Sequence, residues 1–245
     1  MPASPPTKAL AGQRRLEAFH ACDPAHTALL VVDMQHGFLD PGASLEVPRG
    51  RALIPVLRRL ITGCRALKVP VIFTQFVYSP AVPCLRGDPF GIEHLPPRPG
   101  QPTGFGRPSG NCLVGPQPGT GPESADIVPQ LAPRPGELVV ASHVYDKFLD
   151  TPLDLALRCR GITHLLVCGV TTDVCVNSTV LAAANRDYRV TVLTDAVATL
   201  DETIQAACLE IWRRKFARLR TTAQVLAELQ ASRRRRPGPG RPARP

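Results

Sequence analysis

Leu165-Leu166-Val167-Cys168-Gly169-Val170-Thr171-Thr172-Asp173-Val174-Cys175-Val176 reads as a buried strand, a sharp turn and the start of a helix. Leu165 to Cys168 is an uninterrupted apolar run, Gly169 supplies the turn, and Thr172 or Asp173 is placed to N-cap a helix running toward Arg186. Cys175 then falls in the field of a helix N-terminus, where free backbone N–H groups and the macrodipole favour thiolate over thiol and are able to hold an oxyanion. Taken alone, a cysteine at such a junction is more often packing than chemistry. A second reactive group at the same place is needed to change that balance.

Asp33 is that group. Thr27-Ala28-Leu29-Leu30-Val31-Val32 is a continuous apolar run with β-branched residues, the pattern of a strand covered on both faces, and it ends on this carboxylate. In open parallel sheets ligands bind beyond the carboxyl ends of the strands, so an acid ending one strand and a thiol just past another are expected to face one crevice. There they have the relation of base and nucleophile. Read by itself, Asp33 serves equally well as a cap or turn residue.

The remaining chain alternates strands with helices. Leu53, Val56, Leu57, Leu60, Ile61, Cys64 and Leu67 repeat at helical spacing, with Pro55 in the first turn, and Val69 to Gln75 follows as a strand. Glu137 to Ala141 is a third strand, after which Thr151, Pro152 and Asp154 open a helix that Gly161 ends. His164 to Cys168, Arg189 to Leu193 and Ala217 to Thr221 complete the strands. A helix from Asp201 to about Arg214 carries Ile204, Cys208 and Ile211 on its apolar side, and a short helix covers Ala223 to Leu229. The alternation predicts a three-layer α/β/α sandwich around a six-stranded, doubly wound parallel sheet. One domain is expected over residues 27–230, with an N-terminal extension at 1–26 and a basic, disordered tail at 231–245. Ser79 to Glu123 interrupts the rhythm: it holds a large share of the 27 prolines and reads as an insert or lid in which Phe90, His94 and Phe105 are candidates to reach a substrate, with packing of the loop on itself an equal reading for each.

Composition narrows the function classes. A chain of 245 residues with 44% hydrophobic content is able to bury one sizeable core. No stretch approaches the roughly 20 apolar residues of a membrane span, and Met1 to Arg15 has no apolar signal region, so a cytoplasmic protein with no membrane partner is expected. Much of the formal charge of +9 belongs to the tail with Arg233 to Arg236, and no aromatic residues interleave it, so no specific nucleic-acid partner is expected. The eight cysteines are scattered without CxxC pairs; Cys64, Cys168 and Cys208 read as core, and in a reducing cytosol all remain thiols. His36 is three residues past Asp33 and able to line a pocket, although a lone loop histidine is more often solvated.

Leu30-Val31-Val32-Asp33-Met34-Gln35 with Phe38, Phe148-Leu149-Asp150-Thr151-Pro152-Leu153, Gly169 to Val176 with Ser178-Thr179, and Asp187-Tyr188-Arg189-Val190 before Thr194-Asp195-Ala196 resemble the isochorismatase-like cysteine hydrolases, from about Thr27 to Leu229. The resemblance implies the same α/β/α fold, a Cys-Asp-Lys triad with Cys175 and Asp33 as two members, an oxyanion held by the N–H groups of Thr171 and Cys175, a cis peptide before Thr171, and Phe38 at the substrate. It implies cleavage of C–N bonds in small amides or ureides through a thioester, since the members that cleave isochorismate do not use this thiol. It also implies a homo-oligomer. Some nicotinamidases of this kind bind a metal through Asp and His, and no matching cluster occurs here, so neither metal nor cofactor is expected.

One position departs from the pattern. Where the family has lysine, three residues before the tyrosine of Lys-x-x-Tyr-Ser-x-Phe, this chain has Ser142 in Ser142-His143-Val144-Tyr145-Asp146-Lys147-Phe148. Three readings stay open: Lys147 folds back to supply the ammonium, Ser142 with water and the helix dipole suffices, or the fold has been kept and the reaction lost. The last corresponds to a small-molecule-binding protein of the same architecture.

Overall fold

The computed structural model describes residues 12, 15–43, 45–77 and 124–235. Its strands are β1 (Thr27–Val32), β2 (Val71–Phe76), β3 (Leu138–Ser142), β4 (His164–Val170), β5 (Arg189–Ala198) and β6 (Ala217–Arg220). Between and after them lie α1 (His36–Leu39), α2 (Pro48–Arg51), α3 (Ile54–Ala66), α4 (Leu153–Cys159), α5 (Asn177–Ala184), α6 (Glu202–Lys215) and α7 (Thr222–Arg235). All strand pairs are parallel, in the order β3-β2-β1-β4-β5-β6.

The apolar runs explain the centre of this order. β1 and β4 are buried along their whole length and pair with each other from Thr27↔His164 to Val32↔Gly169. Alternate side chains of β1 enter opposite layers. Leu29 and Val31 pack with Leu57, Leu60 and Ile61 of α3 and Val225 and Leu229 of α7; Ala28, Leu30 and Val32 pack with Leu157 of α4, Val180 of α5 and Trp212 of α6. A strand sandwiched in this way must be apolar at every position, because neither face meets water. The architecture is therefore the expected three-layer α/β/α sandwich.

Several boundaries differ from expectation for identifiable reasons. β5 continues to Ala198 past the polar Thr194 and Asp195, because a register shift between Val167 and Gly169 brings Gly169 and Val170 opposite Val197 and Ala198. Asp195 is used at this point as a cap: its carboxylate accepts from the N–H and hydroxyl of Thr222 at the start of α7, both at 2.8 Å. α7 runs through Arg235, so residues 231–235 of the predicted disordered tail are helical, and three arginines in the last turn favour the negative end of the helix dipole. Residues 236–245 lie outside the described residues.

Part of the N-terminal extension packs against the strands and helices that follow residue 27. Residues 15–19 are helical, Glu17 forms an ion pair with Arg220, and the Cys22 N–H donates to Glu228 of α7 at 2.6 Å. Arg218 of β6, itself buried, closes the group by pairing with Glu228 at 2.9 Å. This segment packs beside β6 and α7.

Candidate active site

Neighbouring β1 and β4 send their onward connections to opposite sides: β1 leads to β2 on one flank and β4 to β5 on the other. The carboxyl ends of two such strands leave a crevice between the diverging loops, the place where open α/β sheets bind ligands. Gly169 brings the two ends close. Its φ is +116°, and a Cβ there would stand 2.0 Å from the Val32 carbonyl oxygen, a distance no side chain tolerates. One residue beyond Val32, Asp33 turns the chain with φ of +50°, a left-handed conformation that aspartate adopts more readily than most residues.

Asp33 is fully buried, which requires partners for its charge. Thr74 of β2 donates its hydroxyl to Oδ1 at 2.5 Å and accepts the Asp33 N–H at 3.2 Å. Lys147 places its Nζ 2.7 Å from Oδ2, with both side chains at 0% exposure. The same ammonium donates to the Val144 carbonyl at 3.3 Å and lies over the Phe76 ring, 5.0 Å from its centroid. Of the three readings for the missing family lysine, the first describes the geometry: Lys147 folds back and brings its cation to the carboxylate. Ser142, at the family position, is buried and directs its hydroxyl to the Val144 carbonyl at 2.7 Å.

Cys175 completes the cluster, although not as the cap of a regular helix. Thr172–Val176 forms a π-helical turn, and α5 starts only at Asn177. Neither Thr172 nor Asp173 caps it; Thr172 is buried, and the Asp173 carboxylate accepts from the Thr199 hydroxyl at 2.6 Å. The Cys175 thiol is buried in the field of the Asp33–Lys147 pair. Burial pushes its pKa well above the ordinary value; the Lys147 cation pulls it down, the neighbouring Asp33 carboxylate pushes it further up, and the Thr171 N–H lowers it. Burial thus works against the thiolate that the helix end favours. The Val170–Thr171 peptide is cis, as the resemblance implied.

Other expected site residues lie elsewhere. Phe38 is buried and packed in the apolar layer with Met34, Leu39 and Val47. His36 is engaged with Asp40 at 2.8 Å. Phe90, His94 and Phe105, the 79–123 insert, and Cys84 and Cys112 lie outside the described residues. Among the described residues, no three of His, Cys, Asp and Glu gather as a metal would require. Sequence reasoning missed Thr74 and Phe76; the signal was a threonine after the apolar run Val71-Ile72-Phe73, one residue past the Val31↔Phe73 pairing and hence level with Val32, next to Asp33. Gln35 was also missed. It ties the end of β1 to the end of β2 by donating to the carbonyls of Phe76 and Ala125 and accepting the Phe76 N–H at 2.8 Å.

The family model of the isochorismatase domain matches residues 27–224. The chain belongs to the isochorismatase family. Among its relatives in this family, the ureidoacrylate amidohydrolase RutB of Methylobacterium radiotolerans is 34% identical over 181 residues, 72% of this chain and 68% of that protein. The crystal structure of a cysteine hydrolase from Pseudomonas syringae pv. phaseolicola superposes with a TM-score of 0.72 at 25% identity, covering 86% of this chain and 96% of the other. N-carbamoylsarcosine amidase from Thermoplasma acidophilum, 24% identical with a TM-score of 0.59 over 80% of this chain and 96% of its own, shares the fold. The protein is thus an isochorismatase-like hydrolase. No helix among the described residues is long and apolar enough to cross a membrane.

Proposed function

We propose that this isochorismatase-family protein cleaves the C–N bond of a small amide or ureide through a thioester on Cys175. The observation that carries the proposal is the buried Asp33–Lys147 pair set against the Cys175 thiol. A buried cysteine serving only as packing has no use for a charged pair, whose desolvation costs several kcal/mol per ion before any attraction is counted. Asp33 accepts the thiol proton as the sulfur attacks the carbonyl carbon, and the N–H groups of Thr171 and Cys175 receive the developing oxyanion. The C–N bond then breaks and the nitrogen leaves with the proton from Asp33. Water attacks the thioester while Asp33 takes its proton, the C–S bond breaks, and the thiol is restored with that proton. Throughout, Lys147 neutralises the carboxylate when it is ionised and favours sulfur carrying negative charge. The ureide class is supported by the 34% identity to a ureidoacrylate amidohydrolase.

A binding protein that has lost the reaction was favoured by Ser142 in place of lysine. The ammonium of Lys147 at Asp33 supports the hydrolase instead. The test is ammonia release from a panel of ureidoacrylate, biuret, nicotinamide and N-carbamoyl amino acids. Turnover of at least one compound by the wild type, abolished in Cys175→Ala, is the expected result; full activity in that variant refutes the thioester route.

A further inference from the structure

We propose that Ser142, which occupies the place of the family's lysine, is the positioning residue that holds Lys147 against Asp33. The inference rests on the cysteine-hydrolase reading above and assigns a task to the residue whose identity first put that reading in doubt. Ser142 ends β3, and its carbonyl is tied to the end of β2 by the Val77 N–H at 2.9 Å. From this fixed point its hydroxyl donates to the Val144 carbonyl at 2.7 Å and accepts the Val144 N–H at 3.3 Å, folding the chain back two residues later. The folded-back carbonyl is the one to which Lys147 Nζ donates at 3.3 Å. One oxygen therefore receives both the serine proton and an ammonium proton, and it aims the cation at Asp33.

The far end of the loop is held separately. The Phe148 N–H donates to Asp146 Oδ1 at 2.7 Å, and the Thr151 hydroxyl donates to the Lys147 carbonyl at 2.6 Å. These bonds fix the Lys147 backbone but not the direction of its long side chain, which has four rotatable bonds. The direction comes from Asp33, the Phe76 face and the Val144 carbonyl. Of these, the carbonyl depends on Ser142. A lysine at position 142 would have carried the charge itself; a serine there builds the bracket for a charge delivered from the other end of the loop.

The test separates this role from a merely structural one and from failure of the hydrolase reading. Cys175 alkylation by iodoacetamide is followed against pH in the wild type, Ser142→Ala, Ser142→Thr, Lys147→Met and the Ser142→Ala/Lys147→Met double variant, with kcat and KM measured on the compound the panel identifies. Among the described residues, the titratable groups facing the sulfur are Asp33 and Lys147. Ser142→Ala is expected to move the alkylation midpoint upward and to lower kcat about tenfold with little change in KM, which corresponds to loosening one hydrogen bond to a charged group. Ser142→Thr, which keeps the hydroxyl, is expected to restore both. In the Lys147→Met background, Ser142→Ala should change nothing further. Equal effects of Ser142→Ala with and without Lys147, or an unchanged midpoint in Ser142→Ala while Lys147→Met shifts it, overturns the positioning role alone. An unchanged midpoint in Lys147→Met overturns the role and the catalytic reading together.

Discussion

Replacing Lys147 by Met removes the charge that allows Asp33 to be buried ionised, and the cost is calculable in outline. Nζ and Oδ2 are 2.7 Å apart with neither side chain exposed. At an effective dielectric constant of about 20, two unit charges at that distance attract by roughly 6 kcal/mol, much of which repays their desolvation. Removing one partner leaves the carboxylate without a cation, so the expected loss is about 3–5 kcal/mol, the usual consequence of stranding a buried charge. In a domain of this size that lowers Tm by roughly 10 °C. Asp33→Asn strands the ammonium instead and should cost a similar amount. The double variant removes both charges, so its loss should fall short of the sum by about 2–4 kcal/mol. Urea unfolding of the four proteins, followed by far-UV circular dichroism, measures this coupling. Raising the salt to about 0.5 M should leave it nearly unchanged, because buried pairs are poorly screened. Additivity within about 0.5 kcal/mol would refute a coupled buried pair.

Two further outcomes concern the scaffold. Gly169→Ala forces a methyl group to 2.0 Å from the Val32 carbonyl at a φ of +116°, so it should destabilise the fold by more than about 3 kcal/mol; a urea midpoint close to the wild type's would disprove the close approach of β1 and β4. His164 is buried at the start of β4, and burial, reinforced by the nearby Arg189 cation, pushes its pKa down to about 4. The unfolded chain, with a pKa near 6.5, binds a proton that the folded state refuses, so this stability is present above about pH 6.5 and is lost as pH falls toward 4. Between pH 7 and pH 5 the wild type should lose about 2 kcal/mol more than His164→Gln; an equal pH dependence of the two proteins would show that His164 is solvated.

Much of the architecture was legible because it rests on local pattern. The unbroken apolar run Thr27–Val32 and its partner leading to Gly169 require burial on both faces, and strands alternating with helices at short spacing leave a doubly wound sheet as the economical solution. Asp33 and Cys175 were legible for the same reason: each stands just beyond the carboxyl end of a buried strand, and topology alone sends such positions to one crevice. The limits of β5 and α7 were not, because Asp195 looks like a strand breaker until Thr222 is beside it, and the arginines beyond Leu229 look like a solvated tail until the helix that carries them is formed.

The lysine question was beyond any linear pattern. Whether Lys147 faced water or Asp33 depended on a loop direction set by hydrogen bonds from Ser142 and Thr151, and on an aromatic face contributed by Phe76 from a different strand. The electrostatic surroundings of Cys175 were equally hidden, since desolvation depends on everything packed around the sulfur and opposes the helix-end field that the local sequence suggested. Amino-acid order determined which residues arrive at the strand ends, because periodicity and turn chemistry act over a few neighbours. Only the folded chain decided their charges and partners, because a buried ion's energy is a property of the surroundings that close on it.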